Sequence, residues 1–227
     1  MRTGLIGALG IFALGMACSD SSTDEGNGNG GATADLVAVQ ALQSAAAVRV
    51  TIGGDSILTL TPGVASAVVS IPAGTRSLQL QPSGGTAAGS TRTVTFEQGQ
   101  RYLLVAADSS GVAIPSLLAD TNAVPVAGKS KLRVIHAAGL APPVDIWRTQ
   151  PDWPALITIM LPFPFGATSP YLLSDPGDWS IVVTPEGQTD TLYATGSFTV
   201  GDGELVTVVV MDSTATGGIS AIVIPDN

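Results

Sequence analysis

The chain is short of most of what acid–base, redox and metal chemistry draws on. It has one cysteine, Cys18, and one histidine, His136. A single cysteine allows no intrachain disulfide and no cysteine-based metal site. A single histidine cannot build a His-rich metal centre, so neither a metal nor a cofactor is expected. Nine Lys and Arg stand against eighteen Asp and Glu, a net charge of −9. That balance excludes nucleic acid, where basic footprints supply most of the affinity. It also excludes docking on anionic lipid through a basic patch. Aromatic residues are 5% and charged residues 12% of the 227-residue chain. What is abundant is Ala, Val, Thr, Ser and Gly, which suits half-buried strands and turns better than solvated helices.

The N-terminus reads MRTGLIGALGIFALGMA before Cys18. Its apolar run from Gly4 to Ala17 falls short of the ~20 residues that cross a bilayer. It fits the core of an export signal, with Arg2 in front and Gly15 and Ala17 as small residues before a cut at Cys18. The segment resembles a bacterial lipoprotein signal, with Cys18 as the acylated residue, although Leu14 sits one position further from the cut than that motif has it. Residues 19–34, SDSSTDEGNGNGGATA, are polar and Gly-rich, the composition of a flexible tether. A lone cysteine between an apolar leader and a tether is what a lipid anchor requires, and several acyl chains hold where one does not. By the same resemblance, Ser19 after Cys18 favours the outer membrane. The alternative is ordinary cleavage to a secreted or periplasmic soluble protein.

Beyond the tether the chain echoes itself. Residues 36–51, LVAVQALQSAAAVRVT, align without a gap on residues 132–147, LRVIHAAGLAPPVDIW. Leu36/Leu132, Ala41/Ala137, Ala45/Ala141 and Val48/Val144 are identical. The echo resumes at Gly63/Gly166, Ser66/Ser169 and Gly74/Gly177, after an insertion around QPDWPAL (150–156) in the second copy. It continues through Val105/Val209, Asp108/Asp212 and Ser109/Ser213. Copies of this length read as whole domains rather than solenoid units.

Alternation fixes the class. SLQLQ (77–81), VRVTI (48–52) and TVTF (93–96) alternate apolar and polar, the pattern of strands with one wet face. YLLVAA (102–107) and VVSI (68–71) are more continuously apolar and are expected in the centre of the core. Pro and Gly recur too often after residue 35 for amphipathic helices, and turn signals fall at sandwich spacing. The expected fold is all-β: two tandem immunoglobulin-like antiparallel β-sandwich domains at 35–124 and 130–227, behind a signal peptide (1–17) and a tether (18–34).

RVIHAAGLAPPVDIW, followed by DPGDWSIVV and GDGELVTVVV, resembles the bacterial family known as domain of unknown function 4397. The likeness covers residues 132–224, with His136-Ala137 and Val144-Asp145 as its typical pairs; in the first copy Gln40 and Arg49 replace the His and Asp. The resemblance implies exported, often lipid-anchored proteins with tandem immunoglobulin-like sandwiches, and it brings no reaction with it.

Two residue groups invite chemistry. His136 and Asp145 flank one bend, yet no nucleophile motif accompanies them, and Gly-x-Ser-x-Gly, His-Glu-x-x-His and phosphate-loop patterns are missing. They are expected to bond each other or nearby backbone, and the protein is expected not to be an enzyme. The acidic turns at Asp175/Asp178, Asp202/Glu204, Asp108 and Asp212 match no calcium-loop spacing and read as solvated carboxylates. All three tryptophans lie in the second copy. Trp147 and Trp179 are expected to fill the core, and Trp153, in the insertion, to offer a ligand surface. The expected role is structural, adhesive or partner-binding, with envelope proteins or surface glycans as partners besides the membrane itself. A carbohydrate- or small-ligand-binding module built on second-copy aromatics is the alternative.

Overall fold

Period two shapes the core of this protein. In the computed structural model, which describes residues 31–120, 123–149, 156–213 and 218–226, Leu36 and Ala38 enter one core while Val37 and Val39 enter another. Cys18 and Trp153 lie outside the described residues. Every regular element among those described is a strand. The first half holds β1 (Thr33–Gln40), β2 (Ala47–Ile52), β3 (Asp55–Leu60), β4 (Val69–Pro72), β5 (Gly74–Ser83), β6 (Ser90–Phe96), β7 (Arg101–Ser109) and β8 (Val112–Asp120). The second holds β9 (Ser130–Ala137), β10 (Val144–Thr149), β11 (Ile157–Phe163), β12 (Leu172–Ser174), β13 (Gly177–Pro185), β14 (Tyr193–Ala194), β15 (Phe198–Val200), β16 (Leu205–Asp212) and β17 (Ile219–Pro225).

The strands form four sheets: β4-β1-β7-β8, β3-β2-β5-β6, β12-β9-β16-β17 and β11-β10-β13-β14, with β15 also on β13. The fold is an all-β sandwich. Pairing is antiparallel except where β1 meets β7 and β9 meets β16, which run parallel. Registers in the two halves coincide. Val39 pairs with Val105 as Ile135 pairs with Val209. Val48 faces Pro82 as Val144 faces Pro185, and Ile52 faces Leu78 as Arg148 faces Ile181. Ala34 pairs with Ile71 as Ser130 pairs with Ser174.

Three cores hold the layers. One lies between the two sheets of the first half around Leu36, Leu80 and Leu104, and one between those of the second half around Leu132, Ile146 and Val208. The third joins β1 and β7 to β9 and β16 through Val37, Val39, Val105, Ile135 and Val209. Both faces of β7 and β16 are thus buried, which is why they read as unbroken apolar runs. Gly31–Asn227 accordingly forms one compact unit.

Three local expectations need correction. VVSI is not central: β4 pairs only with β1 at a sheet edge, and only Ile71 of Val69–Pro72 is buried. Thr33 and Ala34, expected at the end of a tether, already belong to β1 and pair with Pro72 and Ile71. SPYLLS yields only the three residues of β12.

Candidate functional site

His136, the penultimate residue of β9, lies on the same side as Leu132 and Val134, so alternation carries it into the mouth of the second sandwich. It is 1% exposed. Its imidazole lies 6.1 Å from the Phe163 ring, nearly stacked, and 6.2 Å edge-on from Phe165. Nδ1 accepts the Ala138 amide at 3.3 Å. That bond assigns the ring proton to Nε2, which has no hydrogen-bond partner among the described residues. Burial lowers the pKa to about 4, so the ring is neutral at physiological pH.

Around His136 opens a cavity of about 280 Å³ walled by Pro142, Pro143, Pro162, Phe163, Pro164 and Phe165. Ala141 completes the wall and the exposed Glu186 stands at the rim. The first half has closed the corresponding place. There Gln40 donates from Nε2 to Ala45 O at 2.7 Å, and the Ala46 amide bonds Ser83 O at 2.9 Å. Gly84 and Gly85 then pack so tightly that a Cβ on Gly85 would lie 1.9 Å from Ser44 O. In the second half Pro142 occupies the Ala46 position and has no N–H to give. Glu186 N bonds Pro143 O at 2.9 Å instead, and the bend stays open.

A second cavity, about 330 Å³, lies at the edge of the same sandwich, lined by Lys129, Arg148, Ile157, Leu173, Ser174, Asp175 and Trp179. Arg148 lies 5.0 Å over the Trp179 ring and donates to Ser174 Oγ and, at 3.4–3.5 Å, to Leu173 O. Its Nε is buried without a partner among the described residues. Burial lowers the Arg148 pKa, while Asp175 opposes that shift. Asp175 is itself ion-paired to Lys129.

The remaining sequence-selected residues do not converge on a reactive centre. Asp145 Oδ2 accepts the Gly187 amide at 2.9 Å and Oδ1 has no partner among the described residues, so His136 and Asp145 bond backbone rather than each other. Trp179 is 4% exposed and in the core, its Nε1 donating to Asp175 O at 2.9 Å. Trp147 is not a core residue. Ile146 points inward, so its neighbour must point out, and Trp147 lies half-buried on the outer face with Nε1 bonded to Thr184 Oγ1 at 3.0 Å. The acidic residues tie segments together, and Asp108 and Asp212, expected to be solvated, are each only 5% exposed. Asp202 accepts Gly128 N at 2.7 Å, Glu204 accepts Gly201 N at 2.7 Å, and Asp178 accepts Thr199 Oγ1 at 2.5 Å. Arg148 was passed over in the sequence. The signal was available, since it breaks the apolar pattern where Ile52 stands in the first copy.

A family model described as Domain of unknown function (DUF4397) matches residues 34–147. The chain belongs to this family. The DUF4397 match takes in the whole first half, where the sequence offered only the internal echo, and ends at Trp147, just before the inserted QPDWPAL segment. Of the expected span 132–224, only the beginning is therefore matched. No curated protein matches the chain. Among solved structures, a family 41 carbohydrate-binding module from streptococcal virulence factors, described for alpha-glucan recognition, is 10% identical over 82% of this chain and 95% of its own, with a TM-score of 0.29. A candidate cell-adhesion protein from Bacteroides uniformis is 11% identical over 87% of this chain and 98% of its own, with a TM-score of 0.24. One from Bacteroides fragilis is 9% identical over 80% and 83%, with a TM-score of 0.22. Likenesses this distant carry no argument about what the DUF4397 chain binds.

Proposed function

We propose that this DUF4397 protein is a non-catalytic binding protein of the cell envelope, made of two copies of one sandwich module and anchored through acylated Cys18. The coincident registers of the two halves support duplication. The apolar leader, Cys18 and the polar tether support export and anchoring, with the outer membrane favoured by Ser19. A general base works best with a pKa near the working pH, and a His136 held at about 4 is poorly matched to that task.

The observation that carries the binding role is the His136 pocket, open in the second half and shut in the first. Its walls are mainly apolar, proline and phenylalanine, and the polar side chains that line it are His136 and Glu186. An apolar cavity with a few converging polar groups is the usual form of a small-ligand site. The fitting ligand is uncharged, with an apolar face and a hydrogen-bond acceptor, such as the less polar face of a neutral sugar. This is how second-half aromatics would serve carbohydrate binding, with Phe163 and Phe165 in that role.

Ligand-observed NMR against neutral oligosaccharides tests the reading, with His136→Gln/Pro142→Ala/Pro143→Ala, which restores the first-half closure, as control. Binding by the wild type and its loss in the closed variant are expected. Binding that persists after closure refutes the site. Mass spectrometry of the mature N-terminus tests the anchor, and a diacylglycerol-modified Cys18 is expected.

A further inference from the structure

The edge cleft is a place where the two halves share a backbone and differ in chemistry. Where the first half has Ile52, Ile71 and Ala34, exposed by only 1%, 1% and 2%, the second half has Arg148, Ser174 and Ser130 at the same registers. A sealed corner of core has been replaced by a cation and a hydroxyl, Arg148 and Ser174, lining a cavity of about 330 Å³, with Ser130 buried behind them. The sandwich does not need that cation for packing, since the first half closes the same corner with two isoleucines. Burying a guanidinium carries a desolvation cost, which the lowered pKa of Arg148 reflects.

The cation is also held in place. Trp179 lies beneath the guanidinium at 5.0 Å and is itself fixed by its Nε1 bond to Asp175 O at 2.9 Å. Ser174 Oγ and Leu173 O orient one side. No carboxylate among the described residues lies within ion-pair distance of Arg148; the cleft's own carboxylate, Asp175, is ion-paired to Lys129 and acts on Arg148 only at longer range. Among the described residues that line it, Lys129 and Arg148 against Asp175 leave one net positive charge, on a chain of net charge −9.

We propose that this cleft is a ligand site for a small carboxylate, with Arg148 as the charge that recognises it and Lys129 as a supporting cation. A guanidinium fork suits a carboxylate in geometry as well as charge. The cavity has room for the acid group and the body of one sugar-acid or amino-acid unit. The site is separate from the His136 pocket, so closing that pocket leaves this prediction standing.

The test uses the mature protein and ¹⁵N NMR, following the backbone amides of Ser174 and Asp175 and the indole N–H of Trp179. Probes are sodium glucuronate, N-acetylglutamate, glucose and sulfate. Saturable shifts with either carboxylate, at least tenfold tighter than any response to glucose or sulfate, support the site. A stronger response to glucuronate assigns it to sugar acids, and a stronger response to N-acetylglutamate to peptide-type acids. Arg148→Ile/Ser174→Ile, which restores the first-half packing, is expected to fold and to lose the response at least tenfold. Arg148→Lys keeps charge without the fork and is expected to weaken binding severalfold. No carboxylate response at tens of millimolar, equal binding of glucose or sulfate, or a response unchanged in Arg148→Ile/Ser174→Ile would overturn the proposal.

Discussion

Gly139, in the bend after β9, sits so close to Asp108 at the end of β7 that a Cβ on it would lie 2.2 Å from the Asp108 carbonyl oxygen. The first half thus meets the second backbone to backbone, and the same bend supplies the amides that hold Asp212, with Leu140 N at 3.1 Å from its Oδ1. Gly139→Ala has to push two packed sheets apart, because the obstructing atom is backbone. A loss of about 1–3 kcal/mol is expected, the usual cost of overpacking. Thermal unfolding of the variant against wild type measures it, and an unchanged midpoint would show that the junction gives way freely.

The third core predicts how the molecule melts. Ile135 is 1% exposed and packs between the two halves. Ile135→Ala is expected to cost about 2–4 kcal/mol. The loss should appear in one unfolding transition common to both halves. Two resolved calorimetric transitions, only one of them shifted, would show that the halves unfold separately.

A polar network interrupts that core at one end. Arg133 Nε donates to Thr207 Oγ1 at 2.6 Å, Thr207 donates to Asp226, and Tyr171 OH donates to Asp226 Oδ2 at 2.6 Å. The Arg133 guanidinium lies 4.4 Å over the Tyr171 ring, and its Nη2 is 3.8 Å from Asp226 Oδ1. Burial raises the Asp226 pKa, outweighing both hydroxyl bonds and the Arg133 charge. Burial, with the bond to Asp226 next, also raises the Tyr171 pKa and keeps its phenol protonated. The first half has Val37 and Leu103 where the second has Arg133 and Thr207. Asp226→Ala alone strands a buried cation and should cost about 3–5 kcal/mol. Adding Arg133→Val and Thr207→Leu should recover most of that loss in urea unfolding.

Acid acts through His136. Its folded pKa of about 4 lies below the ordinary 6.5, so the unfolded chain takes up the proton first. The contribution is intact above the unfolded value and fades as pH falls towards 4, by about 2–3 kcal/mol at pH 4.5. Asp212 and Asp226, raised by burial, work the other way, because the folded state holds their protons more tightly. His136→Gln removes the first effect and leaves the second. The stability difference between wild type and His136→Gln should therefore shift against the wild type by that amount between pH 7 and 4.5. A pH-independent difference would show that the imidazole is solvated.

Strand positions and the sandwich class were legible because alternation is a local property. SLQLQ and VRVTI declare their faces without knowing their neighbours, and the paired offsets of Leu36/Leu132 and Val105/Val209 anticipated the registers. The place of VVSI was not legible, since edge and centre differ only in what lies alongside. Trp147 was misplaced because bulk was read ahead of the alternation with Ile146. The His136 pocket was half visible: the lone histidine and the double proline stood out, but not that a missing proline N–H holds the bend open.

By itself, the amino-acid order determined an all-β chain with an internal echo and an apolar stretch ahead of its one cysteine, since each of these is a matter of spacing along the chain. Only the tertiary structure decided that a third core joins the halves and that Arg148, Ser174 and Trp179 meet in one cleft. Those contacts unite residues distant in the chain, and they depend on which sheet faces cover each other.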